Sequence, residues 1–212
     1  MELALLKLFF PEELVAHFDI TGSAIKPGKH GDYLEVASAM NIVGDPGVAK
    51  EEIVVVGGIW FQEGISGNCH LQHLTLRQAK GSGVVGESSF TMEDVLVEQC
   101  GWSGVVAYGT DGVGRCTNVE VRQCGWSGVI AETGASITLI GAKTTVHHNC
   151  TNGGSEQYGL KVHRSSSSTI QLVSPLTKEQ VSLDNGGSGN WGSEKGGDIN
   201  QIKNCFWRDL VF

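Results

Sequence analysis

Val97-Glu98-Gln99-Cys100-Gly101-Trp102-Ser103-Gly104-Val105 returns almost unchanged as Val121-Arg122-Gln123-Cys124-Gly125-Trp126-Ser127-Gly128-Val129, 24 residues further on. A looser copy, Leu76-Arg77-Gln78-Ala79-Lys80-Gly81-Ser82-Gly83-Val84, lies 21 residues before the first. Another starts at Val146-His147-His148-Asn149-Cys150, 25 residues after Val121, with its Gly-apolar step delayed to Gly159-Leu160. A fifth, more divergent copy is expected to begin at Val181 and run to Gly186. Self-similarity at this period marks a repeat architecture, in which no unit can bury its apolar face without its neighbours.

Each copy follows a short run of alternating polarity: Leu71 to Leu76, Met92 to Val97 and Thr117 to Val121. Period-two alternation is the pattern of a strand with one buried face. The unit is therefore a strand, a tight turn, a second short strand and a loop, with no helix-length apolar period. That excludes leucine-rich, ankyrin and propeller repeats and fits a β-helix coil. Equivalent residues of stacked coils lie about 4.8 Å apart, so like packs on like. Val97 is expected over Val121, Cys100 over Cys124 and Val105 over Val129, each buried aliphatic contributing about 1.5–3 kcal/mol. Gly83, Gly104 and Gly128 mark a corner where positive φ or close approach excludes a Cβ. Tyr108 to Gly114, Thr151 to Tyr158 and Gly186 to Gly197 are expected as loops.

The fold class that follows is all-β: a single-stranded right-handed parallel β-helix with an N-terminal α-helical cap. Residues 1–40 are assigned to the cap and a lead-in strand, 41–202 to the β-helix and 203–212 to an apolar tail. In the cap, Leu3, Leu6, Phe9, Phe10, Leu14, Val15 and Phe18 recur at helical spacing, and Pro11 precedes Glu12 and Glu13 as at a helix start. A linker follows around Thr21 to Gly31, then the strand Tyr33 to Val36. The tail from Cys205 to Phe212 either folds over the last coil or forms a subunit contact, so the chain is expected as a monomer, with a dimer through the tail as the alternative.

The repeat resembles the right-handed β-helices of the pectin-lyase-like superfamily, over about Asn41 to Ile202 and most strongly over Ile53 to Cys150. Ile42-Val43-Gly44-Asp45 followed by Ile53-Val54-Val55-Val56-Gly57-Gly58 looks like the usual passage into the first coils. Within the superfamily the chain is most similar to short β-helix repeat proteins of algae and other eukaryotes, not to the secreted lyases. The resemblance implies either a carbohydrate-related binding surface or a polysaccharide lyase, hydrolase or epimerase. The enzymes of the superfamily work through carboxylates, often with Ca2+, and a basic group that takes a proton.

Composition agrees with a β-rich globular chain: 30 Gly, 4 Pro and 18% charged residues. A formal charge of −8 with only 15 Lys and Arg argues against nucleic acid, whose binding rests on neutralising phosphates. No 18-residue apolar run is present, so no membrane partner is expected. Met1 to Phe10 carries Glu2 instead of a basic stretch, and no signal peptide is expected. The 6 cysteines lack Cys-x-x-Cys spacing and are read as free, buried thiols. The compartment stays open, with reduced cysteines leaning to the cytoplasm.

Trp102 and Trp126 share one repeat position and are expected as stacked neighbours, either covering the corner or offering sugar rings a flat indole platform. An outward column Arg77, Glu98, Arg122, His147 alternates in charge and reads as a solvated ion ladder. A second column is His73, Asp94, Asn118. Together they supply the one acid/base group the sequence offers, and the catalytic alternative places Asp94, Glu98, Arg122 and His147 at its centre, with Ca2+ as cofactor under that reading alone. Metal binding at His147-His148-Asn149-Cys150 is not expected, because adjacent strand residues face opposite ways. Asp184-Asn185-Gly186-Gly187 and Gly192 to Asp198 are read as turns. The favoured function is a non-catalytic module binding carbohydrate or protein along a sheet face, with Trp102, Trp126, Arg77 and Arg122 as ligand-binding residues and no cofactor.

Overall fold

The structure is a computed structural model that describes residues 25–27 and 33–209. The helical cap expected over 2–18, and the last residues of the apolar tail, lie outside the described residues. What is described is a parallel β-solenoid of about 5 turns. Helix is confined to Lys178–Val181 and two short 3-10 turns among the described residues.

Strands stack in three columns. Tyr33–Val36, Gly58–Phe61, Val84–Gly86, Val105–Tyr108, Val129–Glu132, Leu160–His163 and Trp191–Glu194 follow one another in parallel in an 8-stranded sheet. Its remaining strand, Ile25–Pro27, pairs antiparallel with Tyr33–Val36, inside the stretch expected as linker. The 11-stranded sheet holds the other two columns. Cys69–Arg77 and Phe90–Glu98 run through both, bending at His73 (φ 53°) and Asp94 (φ 51°). In later turns the bend breaks the strand into Val113–Thr117 with Glu120–Arg122, and Ser136–Ile140 with Thr145–His147.

The register stacks Leu76 on Val97, Val97 on Val121, Val121 on Val146, and Val84 on Val105, Val129 and Leu160. All of these are buried in one continuous core. Cys100 and Cys124 share the interior with Ala79, and none of the six cysteines is in a disulfide, Cys205 alone being partly exposed.

Each corner is set by residues in the left-handed backbone region. His73, Asp94 and Asn118 occupy the bend between the two columns, Gln78, Gln99, Gln123, His148 and Asp184 the corner leading to the opposite sheet, and Thr133, Arg164 and Lys195 the corner leading back. For an L-residue this backbone costs about 1–2 kcal/mol, so its recurrence at one rung position is imposed by the winding. The glycines read as corner markers serve by close approach instead: none of Gly83, Gly104 and Gly128 has positive φ. A Cβ on Gly104 would lie 2.2 Å from Val121 Cγ1 and 2.7 Å from the Gly128 carbonyl oxygen.

Three expectations are corrected. Gly186 to Gly197 is not all loop, since Trp191–Glu194 forms the last strand of the 8-stranded sheet; Trp-Gly-Ser-Glu lacks the aliphatic alternation that marked the earlier strands. The fifth copy is displaced by one residue, because Ser182, not Val181, stacks on Val146. The solenoid runs past 202, Ile202–Cys205 adding a strand, and the described aromatics of the tail do not cover the last coil: Phe206 and Trp207 stay exposed, with the Arg115 guanidinium over Trp207 at 5.9 Å.

Candidate functional site

The corner between the second column and the 8-stranded sheet collects most of the residues the repeat singles out. Its outermost feature is the indole pair. Trp102 and Trp126 stack with centroids 5.0 Å apart and planes within 3°. Their main chains are one rung apart, Trp126 N–H donating to the Trp102 carbonyl and Trp102 N–H to that of Gly81. The centroid separation matches the rung spacing, so the rings follow the backbone. They remain 50% and 40% exposed. The rings stack as expected, and because they face each other one face of each is spent on its neighbour, while edges and outer faces meet solvent. On the rung before, Gly81 carries no side chain.

Three residues earlier in each turn, an exposed amide ladder runs parallel to the axis. Gln78 Nε2 donates to Gln99 Oε1 at 3.3 Å, and Gln99 Nε2 to Gln123 Oε1 at 3.4 Å. Behind it, within the corner, Asn149 Oδ1 accepts from the Cys124 amide and its Nδ2 donates to the Val121 carbonyl. Asn185 repeats the arrangement one turn later, accepting from Asn149 N–H and donating to the Val146 carbonyl.

The column Arg77, Glu98, Arg122, His147 is found in register. It is not a solvated ladder, because Glu98 is only 3% exposed. Both its carboxylate oxygens are taken, one by Arg77 Nε at 2.5 Å and the other by Arg122 at 2.8–2.9 Å. Burial alone would raise the Glu98 carboxyl pKa, but hydrogen bonds from Arg122 and Arg77 hold it below the usual range. Glu120 joins the cluster, accepting from Arg122 Nη1 at 2.9 Å.

His73 and Asp94 form a separate group. Asp94 receives Lys50 Nζ at 2.7 Å on one oxygen and His73 Nδ1 at 2.7 Å on the other. His73 Nε2 meets the Val48 carbonyl at 2.8 Å, so both ring nitrogens face acceptors, which favours the protonated ring. That carbonyl, then Asp94, raises the His73 pKa against the opposing pull of burial. Asp94 in turn lies below its ordinary value, Lys50 and His73 outweighing burial. Glu98, Arg122 and His147 are thus neighbours in register, Asp94 stands apart with Lys50 and His73, and each carboxylate is committed to cations. Asn118, the third member of that column, accepts from the Lys143 amide instead.

A second titratable group escapes the sequence reading. Glu132, His163 and Glu194 stack in register on the 8-stranded sheet. His163 Nδ1 lies 3.3 Å from Glu132 and its Nε2 3.3 Å from Glu194, while the buried Lys161 donates to Glu194 at 2.6 Å. Burial pushes the Glu194 carboxyl up, but Lys161 and Lys195 overcome it and hold the pKa at about 2. The loop over 151–158 and the turn after Asp184 lengthen both intervals to 31 residues, away from the 21 to 25 of the repeat, so the period of the repeat does not announce them.

His147 and His148 also depart from expectation. His148 is a corner residue with φ 54°, and this backbone swings its ring toward that of its neighbour. The two Nδ1 atoms are 2.7 Å apart.

No family, curated protein or solved structure matches this chain. Among the described residues no helix is long and apolar enough to cross a membrane.

Proposed function

We propose that the chain is a non-catalytic β-helix module, wound right-handed, that binds carbohydrate at the corner carrying Trp102 and Trp126. Parallel strands joined by crossovers within one sheet are right-handed almost without exception, which supports that hand. The resemblance of the repeat to pectin-lyase-like β-helices supports the substrate class.

The observation that carries the reading is the exposed indole pair. Large apolar surface held rigid at a corner, with polar amides alongside, suits a ligand that presents C–H faces and hydroxyls together. The Gln78-Gln99-Gln123 amides supply donors and acceptors at the rung interval. The nearby Arg77 and Arg122 are occupied by Glu98 and Glu120, so stacking and neutral hydrogen bonds, not charge, do the binding. A neutral glycan fits best, its ring extending the stack on the outer indole face.

Titration with neutral oligosaccharides, followed by tryptophan fluorescence, tests this. Binding should shift the emission, and Trp102→Ala or Trp126→Ala should weaken it about tenfold, the effect of losing roughly 1.4 kcal/mol of stacking. No response to any neutral oligosaccharide at millimolar concentration overturns the reading.

A further inference from the structure

We propose that His147 and His148 chelate a divalent late first-row transition metal ion of tetragonal preference, Cu2+ or Ni2+, through their Nδ1 atoms. Two imidazole nitrogens from adjacent residues converge to 2.7 Å at the surface, with ring planes at 84°. Strand geometry would have kept them apart, and the left-handed backbone at His148 brings them together.

The supporting hydrogen bonds orient one of the rings for coordination. His147 Nε2 lies 3.2 Å from Glu120 Oε1, and that oxygen also accepts from Arg122, which is anchored on buried Glu98. A carboxylate at Nε2 fixes the proton there and leaves the Nδ1 lone pair facing outward, the arrangement that carboxylates impose on metal-bound histidines. Without metal, His148 donates its Nδ1 proton to that lone pair. On binding, the neutral His148 ring shifts this proton from Nδ1 to Nε2, where solvent accepts a hydrogen bond, and no proton leaves the pair.

The separation selects the metal. With bonds of about 2.0–2.1 Å, two nitrogens subtend a right angle when about 2.9 Å apart and a tetrahedral angle at about 3.4 Å. The observed 2.7 Å is close to the first. Among the ions that imidazole suits, Cu2+ and Ni2+ take tetragonal, right-angled donor sets, and Cu2+ heads the affinity order. No group of three or more His, Cys, Asp or Glu is assembled for a metal among the described residues, so water fills the other positions. Exposed Asp184 holds the corner position of His148 one rung on and offers a carboxylate on that side.

The full chain should take up one equivalent of Cu2+ whose electron paramagnetic resonance spectrum shows two imidazole nitrogens, and it should bind Ni2+ more tightly than Zn2+. His148→Asn, which tolerates the left-handed backbone, should lower Cu2+ affinity at least tenfold. Glu120→Gln should lower it about tenfold by releasing His147. In the unsubstituted chain, Cu2+ should broaden the imidazole NMR signals of His147 and His148 before those of any other histidine. Unchanged Cu2+ binding by His148→Asn, Zn2+ binding tighter than Ni2+, or another histidine broadening first would each overturn the site.

Discussion

Arg122 reaches back one rung to Glu98, 2.8 Å from its carboxylate, while Arg77 closes on the same carboxylate from the other side. A buried anion between two cations is stable only while all three are present, so removing the charge should be felt. Glu98→Gln should cost about 1–3 kcal/mol in urea unfolding at neutral pH. The folded pKa of Glu98 is depressed, so this contribution is present above its ordinary value of 4.5 and is lost as pH falls through the folded pKa. The gap between the two proteins should narrow in acid.

Gly104 and Gly109 make a contrasting pair. A Cβ at Gly104 meets Val121 and the Gly128 carbonyl at sub-contact distance, whereas at Gly109 (φ 75°) nothing lies within 4 Å. Gly109→Ala should cost about 1–2 kcal/mol of backbone strain alone. Gly104→Ala must push adjacent rungs apart, and should lose at least about 3 kcal/mol or fail to fold, as thermal unfolding will show.

His73 couples the bend to the loop bearing Val48. Its pKa is raised on folding, so the stability it supplies is complete below the unfolded value of about 6.5 and disappears as pH rises through the higher folded value. Unfolding free energy should therefore decline as pH rises from about 6.5 through the folded value, and His73→Gln should flatten that decline.

Glu194 acts at the other extreme. With a folded pKa of about 2 against an ordinary 4.5, its contribution stands above pH 4.5 and fades as pH falls towards 2. Glu194→Gln should remove much of the acid sensitivity of that interval in urea titrations.

Thiol reactivity should separate one cysteine from the rest. Cys116 is fully buried and its pKa is pushed up to about 12, and burial raises Cys150 to about 11. Alkylation of the native protein at neutral pH should modify Cys205 first, and all six should react after unfolding, as mass spectrometry will read out.

The stacking of the coils is legible in Val97 and Val121, because burial against an identical neighbour leaves the same residue at the same position. The indole stack follows from the same logic, but its orientation does not: repeat position says that two rings are neighbours and nothing of whether they lie side by side or face to face. Glu98 reads as surface because a carboxylate alone belongs there, and only the flanking guanidinium groups make its burial tolerable. The strand rule misplaces His148 because it stops at the corner, where backbone handedness and not residue type aims the ring. The Glu132-His163-Glu194 stack is hidden because loops lengthen both its intervals beyond the period of the repeat while the rungs stay in register.

The left-handed residues that recur at the corners make each coil an interchangeable module. Since Gln78, Gln99 and Gln123 turn the chain at the same point, an internal duplication of one such unit would slot in without disturbing its neighbours. A chain of this kind can lengthen by copying, and one added unit would turn two facing indoles into three.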